Sequence, residues 1–201
     1  MKFDILRILD YPFWFNSIRY IITGNQKSMK AYVYKWLSCG SPDLVLDIGC
    51  GTGDFFDKRY KEYIGIDINQ KFIAFAKKKY KKFKNANFLV GNVLSYKYRS
   101  LKGKKVGIIF VSMMHHLSDQ ELFLLFDNLK KLNITYLVVC DIIPNPKGLL
   151  KKLMVTLDRG AYIRSEERKI KILKKYFYII DIKMLKAGLA VQCGIVCKQK
   201  E

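Results

Sequence analysis

Residues 45–55 constrain the fold of this chain more than any other stretch. They read Val45-Leu46-Asp47-Ile48-Gly49-Cys50-Gly51-Thr52-Gly53-Asp54-Phe55. A short apolar run enters glycines at alternate positions, the pattern of a buried strand that breaks into a tight turn and then a helix. Glycines so placed let the backbone bend sharply and approach a ligand closely. The carboxylates of Asp47 and Asp54 bracket the turn. A dinucleotide loop, G-x-G-x-x-G, would put its third glycine where this chain has Asp54. A negative side chain there would repel a pyrophosphate at a helix N-terminus and tolerate or attract a cationic ligand.

The stretch resembles motif I of the class I S-adenosylmethionine (SAM)-dependent methyltransferases, and the resemblance continues in order along the chain. Tyr63-Ile64-Gly65-Ile66-Asp67-Ile68 resembles the second strand, ending in an acid. Asn87-Phe88-Leu89-Val90-Gly91-Asn92-Val93 resembles the third strand and its loop. Val106 to Leu117 resembles the fourth strand with its His-His-Leu loop, and Tyr136 to Asp141 the fifth. The likeness covers roughly residues 35–197. It implies an α/β fold: a Rossmann-like, doubly wound sheet of seven strands, mostly parallel, with an antiparallel C-terminal hairpin strand and N-terminal capping helices. It also implies SAM as methyl donor and S-adenosylhomocysteine (SAH) as product. SAM carries a sulfonium and an ammonium and no phosphate, which agrees with the acidic glycine turn.

Periodicity alone gives a compatible outline. Residues 3–37 read as two helices joined near Thr23-Gly24-Asn25, with Met29, Val33, Trp36 and Leu37 at helical spacing in the second. Strands are expected at 44–48, 63–67, 87–90, 106–111 and 136–141, and helices at 53–60, 70–80, 119–131 and 166–175. Two closing strands, 177–185 and 190–198, meet at Lys186-Ala187-Gly188-Leu189. Ser118 followed by Glu121 is the signature of a capping box. Alternating β and α segments argue for a parallel, doubly wound sheet. We treat residues 1–201 as one methyltransferase domain, with 1–38 as a helical cap. Residues 144–165, opened by Pro144-Asn145-Pro146, form a substrate-side insertion with a helix at Leu149 to Leu157.

The chain has 201 residues, 37 Lys and Arg against 17 Asp and Glu, and a net charge of +20. Such charge suits an anionic partner: RNA, an anionic membrane surface reached peripherally, or an acidic small molecule. A codon bias that enriches Lys, Ile, Tyr, Phe and Asn together is the competing reading, and the one favoured by lysines outnumbering arginines. No run is long enough for a membrane span, and acidic and basic residues interrupt any leader at the N-terminus. The five cysteines fall mostly in expected strands, as free thiols would in a reducing cytoplasm. Cys193 and Cys197 should share a face of one strand as core, with no metal implied.

The resemblance also assigns roles. Gly49, Cys50, Gly51 and Gly53 would bring the turn against the cofactor, with Asp47 orienting the loop and facing the ammonium. Asp67 would accept the ribose hydroxyls, bordered by Ile68, since a carboxylate has two acceptor oxygens and no donor. Asn92, where the family usually has Asp, would accept from the adenine amine beside Val93; an Asx-turn is the competing reading. Ser112 and Met113 would line the methyl-transfer site. His115 or His116 would serve as a base, or both would bond structurally. Arg159, Tyr162 and Arg164 would bind substrate, two guanidiniums around an aromatic ring suiting a carboxylate or phosphate. The expected acceptor is a small molecule, anionic or lipid-linked. RNA methylation and non-catalytic SAM binding are the competing functions.

Overall fold

A computed structural model describes residues 10–144, 161–188 and 190–200. Helices α1 (Pro12–Thr23) and α2 (Lys27–Gly40) precede β1 (Leu44–Ile48), β2 (Tyr63–Asp67), α3 (Gln70–Lys79), β3 (Ala86–Val90) and β4 (Lys105–Val111). Then come α4 (Asp119–Leu129), β5 (Asn133–Ile142), α5 (Glu166–Leu173), β6 (Phe177–Ala187) and β7 (Ala190–Gln199). The strands form a seven-stranded sheet in the order β3-β2-β1-β4-β5-β7-β6. The β1–β2, β1–β4, β2–β3 and β4–β5 pairs are parallel, and β7 runs antiparallel to both β5 and β6.

The central strands are near-continuous apolar runs because both sheet faces are covered. On one face α2 buries Met29, Tyr32, Val33 and Leu37 in a cluster with Val45, Ile109 and Val138. On the other, Leu122, Leu125, Phe126 and Leu129 of α4 and Ile172 and Leu173 of α5 join Leu46, Ile108, Phe110 and Val139. Local signals set the helix ends. Pro12 opens α1, and Gly24 closes it at φ 61°. The Ser118 hydroxyl accepts from the Glu121 N–H while the Glu121 carboxylate accepts from the Ser118 N–H, a complete capping box.

One expected element is absent. Between β1 and β2 the described chain forms turns and a bend and no α-helix, so the helix expected at 53–60 does not form. Gly53 sits at φ 76°, a left-handed value that interrupts helical backbone, and a Cβ there would lie 2.7 Å from the Phe88 ring. Phe55 and Phe56 are both buried, and Phe56 enters an aromatic cluster, 4.8 Å from the Tyr80 ring and 5.3 Å from Tyr63. Turns let this short connection bury two successive aromatics, which point in different directions on a helix. The helix expected at Leu149 to Leu157 and most of the 144–165 segment lie outside the described residues.

The strand order reverses between β1 and β4. Connections leaving these strands diverge to opposite faces and open a crevice at their carboxyl ends, where ligands bind in open α/β sheets.

Candidate active site

A cavity of about 540 Å³ occupies that crevice. The turn after β1, the ends of β2 and β3, and the loop after β4 form its walls, and α1 covers it with Phe15, Ile18, Arg19 and Thr23. Gly49 and Cys50 hang their N–H groups on the Ile66 carbonyl at 2.8 and 3.0 Å, which ties the turn to the end of β2. Gly49 is at φ 74°, and a Cβ there would lie 2.6 Å from the Met113 sulfur. Only glycine lets the turn and the post-β4 loop meet this closely.

Acids set the electrostatics. The Asp47 carboxylate is buried at the cavity wall and accepts from the Tyr63 hydroxyl at 2.6 Å. Burial pushes its pKa up to about 7, with Asp67 and Asp54 adding to the rise and the Tyr63 bond opposing it. Asp67 accepts the Gly51 and Asn69 N–H groups, one on each oxygen, both at 2.8 Å. Burial raises its pKa and these two bonds oppose the rise. Asp54 behaves oppositely. Burial alone would raise its pKa, but Arg19 and Lys79 hold it down at about 2. Its charge is thus answered within the chain, and the cationic-ligand argument drawn from Asp54 gives way to one resting on Asp47 and Asp67.

The loop after β4 brings a second group of polar side chains. Ser112 adopts φ 49°, its N–H donating to the Cys140 carbonyl at 2.8 Å, and its hydroxyl accepts from Gln192 at 3.4 Å. His115 is 1 % exposed, and its Nδ1 contacts the Asp141 carboxylate at the end of β5. That oxygen also accepts from the Ile142 N–H at 2.8 Å. Lys169 of α5, fully buried, donates to the Ile142 carbonyl just beyond it, and burial lowers its pKa. The His116 ring lies 4.3 Å from that of His115 and is the exposed member of the pair. Both histidines line the cavity.

The structure therefore gathers Asp47, Gly49, Cys50, Gly51, Asp67, Ile68, Asn92, Val93, Ser112, Met113, His115 and His116 around one space. It corrects other expectations. Gly53 does not line the cavity; it packs behind the turn on Phe88. The Asn92 side-chain oxygen accepts from the Leu94 N–H at 2.9 Å, an Asx-turn, although the residue still borders the cavity. Arg164 does not line it either. Its guanidinium donates to the carbonyls of Met114 at 2.8 Å, Tyr162 at 3.0 Å and Leu117 at 2.7 Å, and pairs with Asp119. A buried arginine so occupied is a strap that shapes the loop rather than a substrate ligand. Tyr162 is exposed, lies outside the cavity wall and donates its N–H to the His115 carbonyl at 3.0 Å. Arg159 lies outside the described residues.

Sequence reasoning passed over Asp141, Lys169 and Arg19 as site-forming residues. Asp141 carried a visible signal, an acid at the carboxyl end of a strand, as at Asp67. Lys169 interrupts the buried stripe of α5 that continues at Ile172 and Leu173.

Residues 45–132 match a family model described as a methyltransferase domain. No curated protein matches the chain. Among solved structures, the chain is similar to the magnesium protoporphyrin IX methyltransferase ChlM from Synechocystis PCC 6803 with bound SAH. That match has 19% identity, 98% of this chain and 99% of that one covered, and a TM-score of 0.73. It is also similar to the N-methyltransferase NodS from Bradyrhizobium japonicum WM9 in complex with SAH, at 16% identity, 91% of each chain and TM-score 0.71. A third is the geranyl diphosphate C-methyltransferase from Streptomyces coelicolor A3(2), at 13% identity, 87% of this chain and 81% of that one, TM-score 0.72.

Proposed function

We propose that this class I SAM-dependent methyltransferase passes its methyl group to a small molecule with an apolar body. The observation that carries this reading is the cavity itself. One space is lined both by the glycine turn and Asp67 and by His115, whose Nδ1 meets Asp141. Its wall is mostly apolar, with Phe15, Phe72, Met113 and Ile142. The neighbours named as N- and C-methyltransferases share the fold, so the fold leaves the acceptor atom open.

The residues present fit the donor. Asp67 uses one acceptor position on each oxygen for backbone N–H groups and keeps the others for ribose hydroxyls. The Gly49 turn, packed against Met113, lines the same space as Asp67. Asp47 is a buried carboxyl at the cavity wall whose ionised form suits an ammonium. SAM, when bound, supplies an electrophilic methyl group on a sulfonium.

The chain's own part is alignment, exclusion of water and proton handling. Arg19 and Phe15 of α1 close the cavity from above, Arg19 being anchored by Asp54. His115 lines the cavity and its Nδ1 meets Asp141, a contact that fixes the ring's orientation and makes His115 the candidate for handling the proton of an acceptor's hydroxyl or amine. Of the two arginines expected to grip an anionic acceptor, Arg164 is bonded within the chain.

The test is transfer of labelled methyl from SAM in a cell extract, followed by fractionation. Label in the organic or low-molecular-weight fraction is the expected outcome. Label in RNA, or retained SAM with no transfer, would overturn the reading.

A further inference from the structure

Helix α1 presents side chains on two sides, and the outward one is apolar. Phe15, Ile18, Arg19 and Thr23 look inward to the cavity. Phe13, Trp14, Tyr20 and Ile21 look outward and are 70%, 51%, 65% and 68% exposed. Residues 13 and 20, and 14 and 21, are two turns apart, so the four form one continuous strip. No Asp or Glu occurs from Tyr11 to Lys30. Helix α3 lies alongside, fixed by the Phe15 and Phe72 rings at 4.5 Å, and exposes Lys71, Phe75 and Lys78 on one face. The Lys71 ammonium stands 3.5 Å over the Tyr11 ring and joins the lysine stripe to the aromatic strip.

We propose that this outward face of α1, with the lysines of α3 beside it, docks on the surface of an anionic lipid bilayer. Phe, Trp, Tyr and Ile on one side of a short helix, rimmed by lysines, are the composition of a segment that lies in the headgroup region. No described helix is long and apolar enough to cross a membrane, so the contact is interfacial. Charge decides between occupants. A symmetric pairing of two copies through this face would bring together two surfaces that carry Lys71 and Lys78, with no Asp or Glu in residues 11–30 or 70–79 to answer them. Single-stranded RNA is served by arginine and stacking rings, but Arg19, the arginine of α1, is turned inward onto Asp54. The proposal goes beyond methyl transfer and stands whatever the acceptor is. Its consequence is that the cavity roof would rest on the bilayer.

The test uses the full chain carrying Trp36→Phe, so that Trp14 is the remaining tryptophan. Its emission and co-sedimentation are read with vesicles of phosphatidylcholine alone and of phosphatidylcholine with phosphatidylglycerol. The expected result is a blue shift and binding with the anionic vesicles only, weakened on the order of tenfold or more by Phe13→Ser with Ile21→Ser. The SAH-induced thermal shift should be retained, which shows that the variant is folded. No vesicle binding would overturn the proposal, and so would equal binding by the double variant, which would mean diffuse charge attraction. Self-association, or binding of an RNA oligonucleotide, that the double variant abolishes while vesicles leave Trp14 unchanged would assign the face to those partners instead.

Discussion

A carboxylate with a pKa pushed up to about 7 makes ligand binding and stability depend on pH in opposite directions. Folding raises the proton affinity of Asp47, so the native chain tends to hold a proton that the unfolded chain has released. The stability owed to that proton is complete below the unfolded pKa near 4 and is lost as pH rises through about 7. About three decades of proton affinity, at about 1.4 kcal/mol per decade, give an upper bound of about 4 kcal/mol. Asp47→Asn keeps an acceptor for the Tyr63 hydroxyl and removes the buried charge. It should therefore raise the denaturation midpoint at pH 7.5, with the gain shrinking towards pH 4. Binding of SAH should behave oppositely in the wild type, because its ammonium needs the ionised form. Roughly 3% of molecules carry Asp47 ionised at pH 5.5 and three-quarters at pH 7.5, so affinity should tighten on the order of twentyfold. Calorimetric titration across this range, in buffers of different ionisation enthalpy, would also detect protons released on binding. A flat affinity profile in the wild type, or the same slope in Asp47→Asn, would refute the reasoning.

Other outcomes are expected. Asp67→Ala should abolish the SAH-induced thermal shift, because the ribose acceptor disappears and the Gly51 and Asn69 N–H groups lose their partner. Gly49→Ala should destabilise the chain by about 1–3 kcal/mol in chemical denaturation, from the φ of 74° and the approach to Met113. His115→Gln should slow methyl transfer roughly 10²–10⁴-fold with SAH affinity little changed; an unaltered rate would remove His115 from proton transfer. Ser118→Ala should cost about 1 kcal/mol through the lost capping box, measured by thermal denaturation.

The sheet was legible because its information is local. Central strands announce themselves as short apolar runs, and Asp67 marks the end of one. The crossover after β1 was not legible. Turns were chosen over a helix by Phe88, Tyr80 and Tyr63, which give Phe56 a place to go, and those rings come from other elements. The charge of Asp54 was misread for the same reason: Arg19 on α1 and Lys79 on α3 neutralise it, and no spacing rule links them. Asn92 shows the converse: its side-chain oxygen accepts from the Leu94 N–H two residues away, the Asx-turn that its local sequence allows. The His115–Asp141 contact joins residues whose nearness only the parallel pairing of β4 and β5 creates.

The Arg164 strap has a mechanical consequence. One guanidinium holds the carbonyls of Met114 and Leu117 on one segment and of Tyr162 on another, while the Tyr162 N–H grips the His115 carbonyl. The turn bearing the histidines and the approach to α5 are riveted into one body. Exchanging either segment alone for that of a related enzyme would misalign His115. A graft intended to change acceptor preference must therefore carry residues 112–119 and 161–165 together.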